Sequence, residues 1–340
     1  MPSTEMLNAS ISAPLGDDVM GEDPTVLELE AYMADLFGKE KGLYVPTCTM
    51  ATLIAVLSHC HTRAAEIIIG ASSHICLWEG GGAANLGGVH TKQVEEDQDA
   101  RMSPAAIQDC LKLDNDDHNP QTTLLCLENT HNMLGGVALP KSYMDTMSSL
   151  AHQLNVKCHV DGARIFNAAV AQNVTVRDLC ENVDSISVCF SKGLGAPLGS
   201  VLLGDSDLLR LAKRARKRCG GGMRQAGVVA SMGMYAVQNN VSRLAEDHAR
   251  AKRIGIELKR FGFYLPREGQ VDTNIIYFGL PKNSLVSKED LARRLDLEYR
   301  VKLTGGYSKG GKLFRIVTHM GIDDEGCDRA IEALVKLSLG

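Results

Sequence analysis

A lysine set just past an apolar run is the sharpest chemical signal in this chain. Ser185–Phe190 reads as a buried strand, and Ser191-Lys192 follows it into the turn Gly193-Leu194-Gly195-Ala196-Pro197-Leu198-Gly199. Open α/β sheets bind ligands beyond the carboxyl ends of their strands, which is where Lys192 would sit. Partial burial lowers an ammonium pKa, and the neutral amine can then attack a carbonyl to form a Schiff base. A second run, Lys157–Asp161, leads into Gly162-Ala163-Arg164. A carboxylate at Asp161 can keep a heterocyclic nitrogen protonated, so that the ring accepts electrons. The planar fork of Arg164 suits a carboxylate ligand. Each has a plainer alternative, a surface lysine at a strand end and a structural Asp–Arg turn.

Other segments fall at comparable places. Ser72-Ser73-His74 follows the run Glu66–Gly70, and Glu128-Asn129-Thr130-His131-Asn132 closes the run Thr123–Glu128. His74 could lie over a flat ring and His131 could carry a proton near working pH, or both could be satisfied structural histidines. In Pro46-Thr47-Cys48-Thr49-Met50 a strand turns into an apolar helix, whose first N–H groups could hold phosphate or simply be capped. Neither a Walker motif nor G-x-G-x-x-G after a first strand is present. Gly220-Gly221-Gly222-Met223-Arg224-Gln225 could set a basic residue at another helix start or be a flexible turn. His59-Cys60-His61 is metal-like in composition only. Adjacent helical side chains point about 100° apart, so no metal is expected.

The elements that must position these residues alternate. Strands are expected at Leu43–Pro46, Glu66–Gly70, Val89–Val94, Thr123–Glu128, Lys157–Asp161, Ser185–Phe190 and Val201–Gly204. Helices are expected at Thr49–His59, Pro104–Leu111, Lys141–Leu154, Val176–Cys180, Asp207–Cys219 and from Arg224 to about Lys259. Nearly continuous apolar strands alternating with helices indicate an α/β sheet covered on both faces. Beyond about residue 250, the runs 273–279, 301–306 and 312–319 with helices at 287–295 and 323–337 suggest a small α+β domain. The expected division is 1–25, an amino-terminal segment; 26–250, a large domain; and 251–340, a small one. The 340 residues carry a net charge of −5, which argues against general nucleic-acid binding. No apolar run reaches the roughly 20 residues of a membrane span. Ten cysteines without a C-x-x-C pair, behind an amino terminus unlike a signal peptide, suggest reduced thiols and a cytoplasmic protein.

Taken in order, His74, Glu128-Asn129-Thr130-His131, Asp161-Gly162-Ala163-Arg164, Ser191-Lys192-Gly193-Leu194 and Gly220-Gly221-Gly222-Met223-Arg224-Gln225 closely resemble the threonine aldolase family of pyridoxal phosphate enzymes. Gly16-Asp17-Asp18-Val19-Met20-Gly21-Glu22-Asp23-Pro24 joins the likeness, which runs from about residue 14 to at least His319. The resemblance implies the aspartate-aminotransferase-like fold with a mostly parallel seven-stranded sheet. It also implies a homotetramer or dimer of dimers with active sites at the subunit interface. The implied reaction is retro-aldol cleavage of threonine or allo-threonine to glycine and acetaldehyde. Lys192 would hold the cofactor covalently, Asp161 would pair with the pyridine nitrogen, and His74 would stack on the ring. Cys48, Thr49 and Ser191 would help bind phosphate, Arg164 and Arg315 would grip the substrate carboxylate, and His131 would lie near the substrate hydroxyl. Arg224 would reach a neighbouring subunit's cofactor site. The base could be His131, His74 or an ordered water.

The chain departs from the pattern in places. Relatives usually begin with an Arg-Ser-Asp-Thr run whose serine touches the substrate carboxylate; this chain starts past it, so weaker substrate binding is an expectation. Cys48 stands where bacterial relatives commonly have glycine, Met20 where tyrosine is common, and Trp78 where another aromatic is usual. The alternatives are a β-eliminating lyase or aminotransferase on the same scaffold, or a weakly active homologue.

Overall fold

The apolar runs do become strands, and their burial explains their composition. In a computed structural model describing residues 2–112, 116–305 and 311–340, seven form one sheet: β1 (Lys41–Val45), β2 (Ala65–Gly70), β3 (His90–Val94), β4 (Gln121–Glu128), β5 (Lys157–Gly162), β6 (Ser185–Cys189) and β7 (Ser200–Gly204). The order is β1-β7-β6-β5-β4-β2-β3. Every residue of β2, β6 and β7 is buried, as strands covered on both faces must be. The edge strand β3 is largely exposed and carries His90 and Lys92. All pairings are parallel except those of β7, which runs antiparallel to both β6 and β1. The expected α/β architecture with a mostly parallel seven-stranded sheet is therefore the one observed.

The reversal at β7 follows from its short connection. Ten residues, 190–199, join β6 to β7, and a parallel crossover needs about a dozen or more. The turn depends on glycine. Gly195 has φ +81° and Gly199 has φ +109°, and an added Cβ would lie 2.3 Å from Met320 Sδ or 2.5 Å from Tyr44 Oη. Asn240 Nδ2 donates to the Leu194 carbonyl at 2.7 Å and pins the turn from outside.

Here the expected long helix from Arg224 to Lys259 is corrected. It is two helices, Gly227–Asn240 and Leu244–Arg260. The break follows Asn239-Asn240, poor helix formers, the second of which is engaged with the lysine turn. Five helices had not been expected: Thr4–Ile11, Pro24–Phe37, His74–Leu77, Gly82–Gly87 and Ile165–Gln172. Pro24–Phe37 begins with proline after Asp23, whose carboxylate accepts the amides of Thr25 and Val26 at 3.1 Å each and that of Gly227 at 2.9 Å. Asp23 thereby ties the amino-terminal motif to the start of Gly227–Asn240. Met6, from the first helix, is fully buried in the core around the large sheet.

A second sheet, β8 (Ile275–Phe278), β9 (Thr304–Gly305) and β10 (Phe314–Val317), is antiparallel in the order β8-β10-β9. Gly306 of the expected strand 301–306 lies outside the described residues. With helices Leu244–Arg260, Lys288–Tyr299 and Asp324–Leu339 the sheet encloses its own apolar cluster. Phe278 and Phe314 stack there at 5.3 Å, a contact of about 1 kcal/mol beyond the area it buries. Alternation along β10 buries Phe314 and Ile316, and turns Arg315 to the other face. Among the described residues no helix is long and apolar enough to cross a membrane.

Candidate active site

Parallel register brings the chemistry to one edge. Glu128 pairs with Asp161 across β4 and β5, and Asp161 pairs with Ser187 across β5 and β6. Beyond these carboxyl ends opens a cleft of about 460 Å³. Its lining includes Thr47, Cys48 and Thr49 after β1, His74, Trp78 and Glu79 after β2, and Glu128 and Asn132 from β4 and its turn. Asp161 and Arg164 come from β5, Cys189, Ser191 and Lys192 from β6 and its turn, and Arg315 from the second sheet. Of the expected site residues, the structure brings together Lys192, Asp161, His74, Cys48, Thr49, Ser191, Arg164 and Arg315.

Asp161 is 5% exposed. One carboxylate oxygen accepts the Ala163 amide at 3.0 Å and lies 4.0 Å from the Cys48 thiol. Burial, then the nearby charges of Glu128 and Glu79, push its pKa up to about 7. A cationic ring N–H beside it would offset these effects and keep the carboxylate ionised. The helix Cys48–His59 begins at the same cleft, capped by Thr47, whose hydroxyl accepts the Met50 amide at 3.2 Å. Its first turn offers N–H groups to an anion. Carboxyl and helix start thus fit the two ends of a pyridoxal phosphate.

The Lys192 carbonyl accepts the Gly195 amide at 3.0 Å, while its amine makes no hydrogen bond or ion pair among the described residues and is available. The expectation of a partly buried amine is corrected, because Lys192 is exposed where the cleft opens to solvent. Next to it, Cys189 Sγ lies 3.2 Å from Ser191 Oγ, with Cys48 also lining the cleft. Cys48, with Ser191 and Lys192, lowers the Cys189 pKa against its burial, while the Cys48 pKa is raised.

His74 is presented by a tight turn in which the Ser73 hydroxyl donates to the Gly70 carbonyl at 2.7 Å. The backbone N–H of His74 donates to Glu128 Oε2 at 2.6 Å, and its Nδ1 lies 3.1 Å from Glu79 Oε1. The Glu79 contact raises the imidazole pKa against the opposing effect of burial. His74, Glu79 and Asp161 offer three ligand atoms within 4.8 Å of one another, a proximity already used by the His74–Glu79 hydrogen bond.

Two expected residues lie off the cleft lining. His131 is 2% exposed, and its Nε2 is 3.1 Å from Glu96 Oε1 and 4.0 Å from Glu128 Oε2. Arg224 lies on the surface and pairs with Asp17 at 2.5 Å, while its carbonyl accepts the Asp18 amide. Conversely, Glu79, Glu128 and Asn132 line the cleft without having been singled out. Glu128 and Asn132 were legible, since they flank the quoted Asn-Thr-His. Asn132 Oδ1 accepts from Arg315 Nη2 at 2.7 Å and so orients that guanidinium.

Comparison with known proteins agrees with this geometry. Residues 1–280 match the family model described as beta-eliminating lyase. Low-specificity L-threonine aldolase 1 of Arabidopsis thaliana is 39% identical over 319 residues, spanning 94% of this chain and 88% of that protein. The low specificity L-threonine aldolase of Escherichia coli strain K12 is 40% identical over 325 residues, 95% of this chain and 92% of that one. The solved structure of a threonine aldolase from Leishmania major matches with a TM-score of 0.81 at 18% identity, over 99% of this chain and 96% of that chain; at that identity the likeness speaks for the fold. Strand-edge lysine and aspartate, the fold that joins them and these relatives lead to one assignment: the chain belongs to the beta-eliminating lyase family and, within it, to the threonine aldolases.

Proposed function

We propose that this cleft binds pyridoxal phosphate and cleaves threonine or allo-threonine between Cα and Cβ, giving glycine and acetaldehyde. The observation that carries the reading is the meeting of an uncommitted amine at Lys192, a buried carboxyl at Asp161 and the guanidinium of Arg315 around one cavity. Bound there, the cofactor supplies an electron-accepting ring. Lys192 anchors it through its amine, and Asp161 holds a proton at the ring nitrogen. The first turn of Cys48–His59, with Thr49 and Ser191, takes the phosphate. Arg164 and Arg315 orient the substrate carboxylate.

His74 would take the β-hydroxyl proton. It lines the cleft with its side chain 32% exposed, and Glu79 behind it stabilises the imidazolium that forms. His131, behind the wall, supports the site from the rear. A homotetramer or dimer of dimers with its active sites at the interface is part of the proposal, and Arg224 would serve a neighbouring site there. Exposed Leu77, Trp78 and Leu86 beside the cleft, and Met20, support an apolar contact surface. Ten cysteines unpaired in the fold support the cytoplasm as its compartment. A separate apolar cluster beyond residue 250 supports the division at 250/251 and a small domain over 251–340, and the burial of Met6 in the large core supports counting the segment 1–25 with the large domain.

The test is Lys192→Ala. Wild-type protein loaded with cofactor should be yellow and release acetaldehyde from threonine, and the variant should lose both while keeping its melting temperature. Pyruvate with ammonia, or a keto acid, in place of acetaldehyde would reassign the enzyme to β-elimination or transamination.

A further inference from the structure

Glu96 stands two residues past the edge strand β3, and nothing local marks it, yet its side chain is only 2% exposed. β3 runs parallel to β2 with Val94 beside Gly70, so the segments leaving the two strands travel together. The Glu96 carboxylate crosses between them and accepts the Ser72 amide at both oxygens, 3.3 and 3.0 Å away. It then meets His131 Nε2 at 3.1 Å. Gly70 admits it, since a Cβ there would lie 1.8 Å from Glu96 Oε1.

Glu128 lies on the same ring, with Oε2 4.0 Å from His131 Nε2. Its own oxygens accept the amides of His74 at 2.6 Å and Asn132 at 2.8 Å. Burial opposes ionisation of Glu96, and its contacts with His131 and the Ser72 amide outweigh that and hold its pKa below the usual carboxylate value. Against the effect of its burial, Glu128 and Asp161 from β4 and β5, and Glu96 beyond β3, favour His131 as a cation.

We propose that Glu96 is a positioning residue of the site: with Glu128 it holds His131 as a fixed imidazolium behind the cleft, and through Ser72 it anchors the turn that presents His74. The His131 ring is enclosed behind the wall, whereas His74 lines the cleft, which leaves proton exchange with the substrate to His74. The kinetic consequence rests on the aldolase reading above, whereas the protonation state of His131 does not.

The test is Glu96→Gln, close in shape but uncharged, in cofactor-loaded enzyme with its histidines labelled with 15N; the His131 signal is assigned by its loss in His131→Gln. In wild type His131 should carry both ring protons near neutral pH, where an unperturbed imidazole is mostly neutral. In Glu96→Gln it should become neutral. The kcat for threonine should fall about ten- to a hundredfold while KM stays within about threefold and the cofactor absorbance stays full. Glu96→Asp, which keeps the charge, should restore the imidazolium and part of kcat. A neutral His131 in wild type overturns the proposal. So does a Gln variant with wild-type kcat, or one whose kcat falls only in step with cofactor absorbance, which marks a scaffold role. A wild-type enzyme that leaves threonine intact would refute the aldolase reading and leave the nitrogen signals to decide the role of Glu96.

Discussion

Asp161→Asn should stabilise the cofactor-free protein and disable the loaded one. Burial and the charges of Glu128 and Glu79 raise the Asp161 carboxyl from 3.8 to about 7. Between those values the folded chain holds a proton that the unfolded chain has released. Its contribution to stability is therefore complete below 3.8 and is lost as pH rises through about 7. The gap of 7 − 3.8, about 3 units at 1.36 kcal/mol each, sets an upper bound of roughly 4 kcal/mol. Asparagine stays neutral throughout and removes this slope. Glu30, also raised to about 7 by burial, contributes a slope of the same sign to both proteins, so the difference between them isolates Asp161. Urea unfolding of both cofactor-free proteins across a pH series is the assay. The variant should gain on wild type as pH rises, by up to the bound above. Its threonine cleavage after loading should fall by about a hundredfold or more, the scale on which aligned electrostatic contacts act. Parallel stability curves would refute the argument, because they would place the raised pKa on another group.

Arg315→Lys keeps the charge but loses the fork that Asn132 orients. KM for threonine should rise about tenfold or more, with kcat and cofactor absorbance nearly unchanged; an unchanged KM would remove Arg315 from the carboxylate clamp. His159, fully buried on Ser185 at 2.8 Å, is pushed down to about 3 by burial. Its contribution to stability is complete above 6.5 and is lost as pH falls towards 3, so His159→Leu should flatten the acid limb of the stability curve. An equally steep limb in that variant would assign it to other groups.

How much was legible in the sequence depended on how locally each feature is encoded. The inner strands β2, β6 and β7 show as apolar runs because burial on both faces demands it. Lys192, Asp161 and His74 stand out because each ends such a run or follows it within a short turn. Ile165–Gln172 was missed because no side chain caps its start and its sequence is apolar nearly all round, without the alternation that marks a surface helix. Pro24–Phe37 carried a legible Asp-Pro start. Glu96 was invisible for a different reason. Its partners at 72 and 131 come to it through the sheet order β4-β2-β3, which sets strands from distant parts of the chain side by side, and no short window of sequence contains that neighbourhood.

The two histidines show why strand-edge placement alone did not settle their roles. Both follow a strand at the same sheet edge, so sequence offers each as a proton carrier. A base must reach the proton it removes directly or through one water. The side chain of His74 is 32% exposed and that of His131 is 2% exposed. Glu128 stands between the two, bonded to the His74 backbone and facing the His131 ring. The buried ring meets two carboxylates, while the exposed ring meets Glu79 and faces the cleft. On the function proposed above, one motif would contribute a buried partner for carboxylates and the other the group that exchanges a proton with the substrate.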